Sequence, residues 1–153
     1  MSNKKTLTDE EKRNLDVVKE WAKTWSTHGA ATRMVDEIYA DSCEVFTPLQ
    51  NIHYVKKGQS KENWKNVEIA VEKIFEKREM RLLQTLARGD TVAVEAEITL
   101  TPVQGETIKS WFAAFLTLKD GRIIKDHTYM RDLPREYLTP ELRDAVVKIL
   151  KNL

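Results

Sequence analysis

Apolar side chains at Leu15, Val18, Ala22 and Trp25, widened by Val17 and Trp21, recur at the 3.6-residue period of a helix. Ahead of them, Thr8-Asp9-Glu10-Glu11 has the form of a capping box, in which a Thr oxygen and a Glu three residues on satisfy orphan N–H groups. Gly29 suits the stop, and His28 is a cation against the carbonyl end, giving a helix over 8–28. A second helix over 33–40 turns Met34, Val35 and Ile38 inward. Ser42 to Thr47 reads as a short strand ending at Pro48, and 49–58 as an irregular segment that carries His53 and Tyr54. Ser60 can cap a third helix over 59–76, with Trp64, Val67, Val71, Ile74 and Phe75 as its stripe.

Beyond it the period changes to two. Met80, Leu82, Gln84 and Leu86 begin a strand, and Gly89-Asp90 marks a tight turn. Val92, Val94, Ala96, Ile98 and Leu100 alternate with more polar positions, the signature of a half-buried strand. Ile108–Leu118 is apolar on both faces at its centre, which predicts a central strand. Asp120-Gly121 is a hairpin signal, and Arg122–Met130 the last strand. Together these predict a four-strand meander over 78–132. Thr139-Pro140-Glu141 then opens a helix over 140–152, with Leu142, Val146, Ile149 and Leu150 as its stripe. Helices segregated from an antiparallel meander predict one α+β domain over 1–153.

Composition narrows the function. Among 153 residues, 25 Lys and Arg face 24 Asp and Glu, so no basic excess points to nucleic acid. No apolar run is long enough to span a membrane, and the polar first residues do not form a signal peptide. A single cysteine, Cys43, permits no internal disulfide, which predicts a cytoplasmic home; with no neighbouring pattern to activate it, it reads as a small buried residue. Three His lack metal-ligand spacing, and no Gly-rich phosphate loop or Gly-x-Ser-x-Gly elbow occurs, so neither a metal nor a cofactor is expected.

Several stretches resemble the nuclear-transport-factor-like cone, in its SnoaL-like and ketosteroid-isomerase-like branch. They are 38–48 (Ile-Tyr-Ala-Asp-Ser-Cys-Glu-Val-Phe-Thr-Pro), Gly58 before the third helix, 89–95 (Gly-Asp-Thr-Val-Ala-Val-Glu) and 118–124 (Leu-Lys-Asp-Gly-Arg-Ile-Ile). The resemblance implies a curved antiparallel sheet wrapped around N-terminal helices, leaving an apolar cavity, with an extra C-terminal helix. It also implies a homodimer paired through the sheet. Fold alone does not choose the reaction, because this family includes isomerases, epoxide hydrolases, cyclases and pure binding proteins. Steroid isomerases of the family keep a base Asp where Thr47 stands, an oxyanion Tyr near Trp21 and a second acid near Ala113 or Ala114. Epoxide hydrolases keep an Asp–Arg–Asp set near Ala96, Ile98 and Thr128. Neither set is present. Cyclases use an acid on the final strand, and Asp126 matches it.

Ile124, Asp126, Thr128 and Met130 share one face of a regular strand, while His127 and Tyr129 share the other. By analogy the first set faces the cavity, where desolvation raises a carboxyl pKa toward a working acid or base. Asp126 is therefore the candidate catalytic group, with His53 or Tyr54 polarising a substrate oxygen. Trp25, Phe46, Trp64, Trp111, Thr128 and Met130 are the candidate substrate contacts. A sheet face that pairs Asp126 with Lys109 is the structural alternative, and Glu95 and Glu97 read as solvent-facing. The expected activity is cofactor-independent acid–base chemistry, of isomerase, dehydratase or cyclase type, on a small hydrophobic oxygen-bearing molecule. The alternative is a non-catalytic ligand-binding or dimerisation domain of the same fold.

Overall fold

The structure, a computed structural model, describes residues 6–130 and the helical positions Pro140, Asp144, Lys148 and Lys151. Helix α1 runs Asp9–Trp25. A single α-turn, α2 (Ala31–Arg33), passes directly into a π-helical turn, Met34–Ile38. Strand β1 (Tyr39–Thr47) leads through a 3₁₀ turn (Pro48–Gln50) to β2 (Ile52–Val55), and α3 spans Glu62–Ile74. Four strands follow: β3 (Phe75–Arg88), β4 (Thr91–Pro102), β5 (Ile108–Lys119) and β6 (Arg122–Met130). They form one six-stranded sheet in the order β2-β1-β6-β5-β4-β3. Every neighbouring pair is antiparallel except β1 with β6, so the sheet is mixed, and it curves around the helices without closing.

Most elements stand where the residue pattern places them. The capping box forms as read: the Glu11 N–H donates to Thr8 Oγ1 at 3.1 Å and the Thr8 N–H to Glu11 Oε2 at 2.8 Å. Val92, Val94, Ala96, Ile98 and Leu100 are all buried, as a two-residue period requires. At the β5–β6 turn Asp120 and Gly121 both take positive φ (51° and 75°), as a type I′ hairpin demands.

The departures have physical causes. Helix α1 ends at Trp25 rather than 28, because the Ser26 hydroxyl turns back to the Ala22 carbonyl at 2.7 Å and accepts the Met80 N–H at 2.8 Å. Tyr39 and Phe75, read as helical, each open a strand. The irregular segment contains strand β2, which pairs only with β1 at the sheet edge. In β3 the register slips at Leu83, so Leu86 turns outward. The positions Pro140, Asp144, Lys148 and Lys151 are helical and exposed. The stripe at Leu142, Val146, Ile149 and Leu150, and the end of the meander at 131–132, lie outside the described residues. No helix among the described residues is long and apolar enough to cross a membrane.

Glu11 also joins the layers. Its Oε1 accepts the Gly89 N–H at 3.1 Å, while Asn14 donates to the Gly89 carbonyl at 3.1 Å, so the start of α1 is tied to the β3–β4 turn. Replacing Glu11 by Ala removes a reciprocal cap and the acceptor of the Gly89 N–H, which should cost about 1–2 kcal/mol. Urea unfolding of the variant should show a lower midpoint with an unchanged slope; an unchanged midpoint would remove this contact from the fold's support.

Candidate functional site

Between the helices and the concave sheet face lies a cavity of about 120 Å³. Of the sequence candidates, Asp126, Tyr54, Trp25, Trp64, Thr128 and Met130 line it. His53, Phe46 and Trp111 do not. Phe46 falls between the inward-facing Val45 and Thr47, so strand alternation sends it to the outer face, where it stacks on His53 at 3.8 Å. His53 instead lines a neighbouring groove with Lys56, Gln59, Ser60 and Asn63. Trp111 falls between the buried Ser110 and Phe112 and is 44% exposed; Phe115, on the same outer face, is 53% exposed.

Asp126 reaches the cavity through an irregularity. The β5–β6 register runs from Thr117–Lys125 to Leu118–Ile123, which leaves Ile124 as an extra residue. The bulge puts Ile123, rather than Ile124, on the buried side together with Asp126, so the expectation that Ile124 shares the Asp126 face does not hold. His127 faces outward as expected, and its Nε2 meets Glu44 Oε1. That contact holds the Glu44 carboxyl below its ordinary pKa, against a smaller opposing effect of burial.

The Asp126 carboxyl is 4% exposed. Oδ2 accepts the Tyr39 hydroxyl at 2.7 Å and Oδ1 the Thr128 hydroxyl at 2.6 Å. No Lys, Arg or His is among the described lining residues of the cavity, and the Asp126 oxygens meet Tyr39 and Thr128 rather than Lys109. Burial therefore dominates and raises the Asp126 pKa, although both hydrogen bonds pull it down. Tyr39 is raised well above its usual value, first by burial and then by the adjacent Asp126 charge, so it stays a donor. Its carbonyl accepts the buried Lys61 ammonium at 2.8 Å. Tyr54, also desolvated and facing Glu68 and Asp126, is pushed up to about 12.

At one side of the cavity, Glu68 and Glu72 share a single cation. Arg78 Nη1 lies 2.9 Å from Glu68 and Nη2 lies 3.1 Å from Glu72, and the guanidinium sits 4.7 Å above the Trp25 ring. Tyr39, Thr47 and Glu68 are thus wall residues that sequence reasoning did not select. For Tyr39 the available signal was the odd-numbered parity it shares with Cys43, Val45 and Thr47; for Glu68 no local signal exists, because its partner lies on another element. Among the described residues no three His, Cys, Asp or Glu side chains gather as a metal ion would need.

Because the folded chain holds the Asp126 proton more tightly than the unfolded chain does, its contribution to stability is full at acid pH and is lost as pH rises through the folded-state pKa. The melting temperature of Asp126→Asn relative to the unsubstituted chain should therefore climb between acid and neutral pH. A relative melting temperature that stays level over that range would place the carboxyl in an ordinary, solvated setting, and one that falls would mean that hydrogen bonding outweighs burial.

Residues 18–125 match the SnoaL-like domain family. No curated protein matches the chain. A protein from Jannaschia sp. CCS1 named for a SnoaL-like polyketide cyclase superposes with a TM-score of 0.66 at 15% identity, covering 95% of this chain and 96% of that one. An LEH-like epoxide hydrolase from M. tuberculosis gives 0.64 at 14% identity and 95% of each chain. A de novo designed protein with a curved β-sheet gives 0.60 at 15% identity, over 96% and 100%. At these identities the structures speak for shape alone, and a designed chain reaches that shape nearly as well as the natural ones. The sequence match covers most of the curved sheet and the helices it encloses, and on it the chain belongs to the SnoaL-like domain family.

Proposed function

We propose that this protein is a small enzyme that moves protons within its cavity, of isomerase, dehydratase or cyclase type, on a small, largely apolar molecule bearing a carbonyl or hydroxyl oxygen. One observation carries the reading. A carboxyl group stands in the wall of an apolar cavity, held by two hydroxyl donors and, among the described residues, by no Lys or Arg. Membership of a family whose structural relatives include proteins named for cyclase and epoxide hydrolase activity supports it.

A carboxylate in water is too weak a base for most carbon acids. Desolvation narrows that gap, so Asp126 can take a proton from carbon and return it to oxygen or to a second carbon. Tyr39 and Thr128 fix the direction of the carboxyl. Tyr54, protonated throughout the neutral range, can donate to a substrate oxygen as negative charge develops there. The cavity lies below the roughly 300–1,000 Å³ of drug-sized sites, so the substrate is small or enters only in part. The rival reading, a non-catalytic ligand-binding or dimerisation domain, draws on the absence of carboxylates at Thr47, Ala113 and Ala114 and on the exposed aromatic outer face.

Deuterium exchange separates the two. The protein is incubated in heavy water with a panel of small ketones and hydroxy-carbonyl compounds, and exchange next to the carbonyl is followed by NMR. Asp126→Asn should lower any exchange by about 10²–10⁴-fold, and Tyr39→Phe by a smaller factor. Exchange that persists undiminished in the Asn variant would remove Asp126 from the chemistry and favour the binding domain.

A further inference from the structure

The charge of the cavity wall constrains its ligand further. Glu68 and Glu72 share one guanidinium, so that buried trio carries a formal net charge of −1. Asp126 adds a third carboxyl, with no Lys, Arg or His beside it among the described lining residues. A carboxylate or phosphate entering here would meet like charge, and the donors nearest Asp126 are already committed, Tyr39 and Thr128 to its oxygens.

The remaining surface is rich in π-systems. Six of the fifteen described lining residues are aromatic, namely Trp21, Trp25, Tyr39, Tyr54, Trp64 and Phe112. Ring faces attract cations most strongly where water is excluded. Behind the wall one ring already holds a cation in this way: the Arg78 guanidinium lies over Trp25. Methionine thioethers at 34, 80 and 130 add polarisable contacts. The volume, about 120 Å³, suits a ligand of a few heavy atoms.

We propose that the cavity takes a small organic cation, of the size of a methylated ammonium group, with Asp126 as its counter-charge and the aromatic wall as its cage. This deepens the proposed function and rests on it for the cavity being the ligand site. A cation beside Asp126 favours the carboxylate form, so arrival of the ligand would itself ready the base.

Tetramethylammonium and tert-butanol form a matched pair of equal heavy-atom count, one charged and one neutral. Each is titrated into the ¹⁵N-labelled full chain while the tryptophan indole N–H signals are followed. Trp21, Trp25 and Trp64 line the cavity, and Trp111 on the outer face is the internal control. Tetramethylammonium should shift the three cavity indoles saturably, leave Trp111 still, and bind about tenfold or more tightly than tert-butanol. Asp126→Asn should weaken the cation by about fivefold or more and leave tert-butanol within about twofold; its indole spectrum also reports whether the variant is folded. Equal affinity for the two probes would overturn the cation proposal and keep the cavity as a ligand site. Shifts centred on Trp111 would overturn the cation proposal by placing the cation on the outer surface. Indoles that respond to neither probe would overturn both the cation and the cavity as a small-molecule site.

Discussion

Taking a carboxylate out of water costs several kcal/mol unless hydrogen bonds or an opposite charge replace the solvent. In this molecule two hydroxyl groups do that for Asp126, and the elements around the cavity serve to hold them. Tyr39 begins β1 directly after a π-helical turn, and its backbone carbonyl is gripped by the buried Lys61. Thr128 follows Asp126 by two residues on the same face of β6. The parallel β1–β6 pairing sets Val45 beside Asp126 and so brings the two strands together at this point. A turn, a buried lysine and the mixed strand order thereby converge on one carboxyl.

The residue pattern carries much of this, and where it fails the reason is physical. Periods of 3.6 and two are local, so α1, α3, β4, β5 and β6 are legible from spacing, as is the face of β6 that holds Asp126, Thr128 and Met130. Register is not local. The bulge that replaces Ile124 by Ile123 on the buried side depends on how β6 sits against β5, which no window of the sequence contains. Strand β2 has four residues, too short for alternation to stand out from a loop, so spacing does not reveal that His53 turns away from the cavity to stack on Phe46. Tyr39 was hidden because the apolar spacing of Met34, Val35 and Ile38 runs into it without a break. Likewise the Glu68–Arg78–Glu72 trio joins a helix to the next strand, and each member alone resembles solvated surface charge.

Shape and chemistry separate cleanly here. A curved sheet around helices is reached by natural relatives and by a designed chain alike, so it marks the scaffold and leaves the reaction to the side chains in the hollow. In this chain the hollow carries one carboxyl on the last strand, Asp126, and non-ionisable side chains at Val45, Thr47, Ile98 and Thr128. Around it stand aromatic rings and a buried trio with excess negative charge. Proton transfer and recognition of positive charge would thus draw on the same group.

The most direct measurement is a carbon-detected NMR titration of the Asp126 side-chain carboxyl in the full chain. The account predicts a midpoint displaced upward from the ordinary aspartate value of about 3.9, and displaced further when Tyr39→Phe removes one of its hydrogen bonds. A midpoint at or below that value would mean that hydrogen bonding outweighs burial, and the cavity would then hold a permanently ionised aspartate instead of a group that can exchange protons.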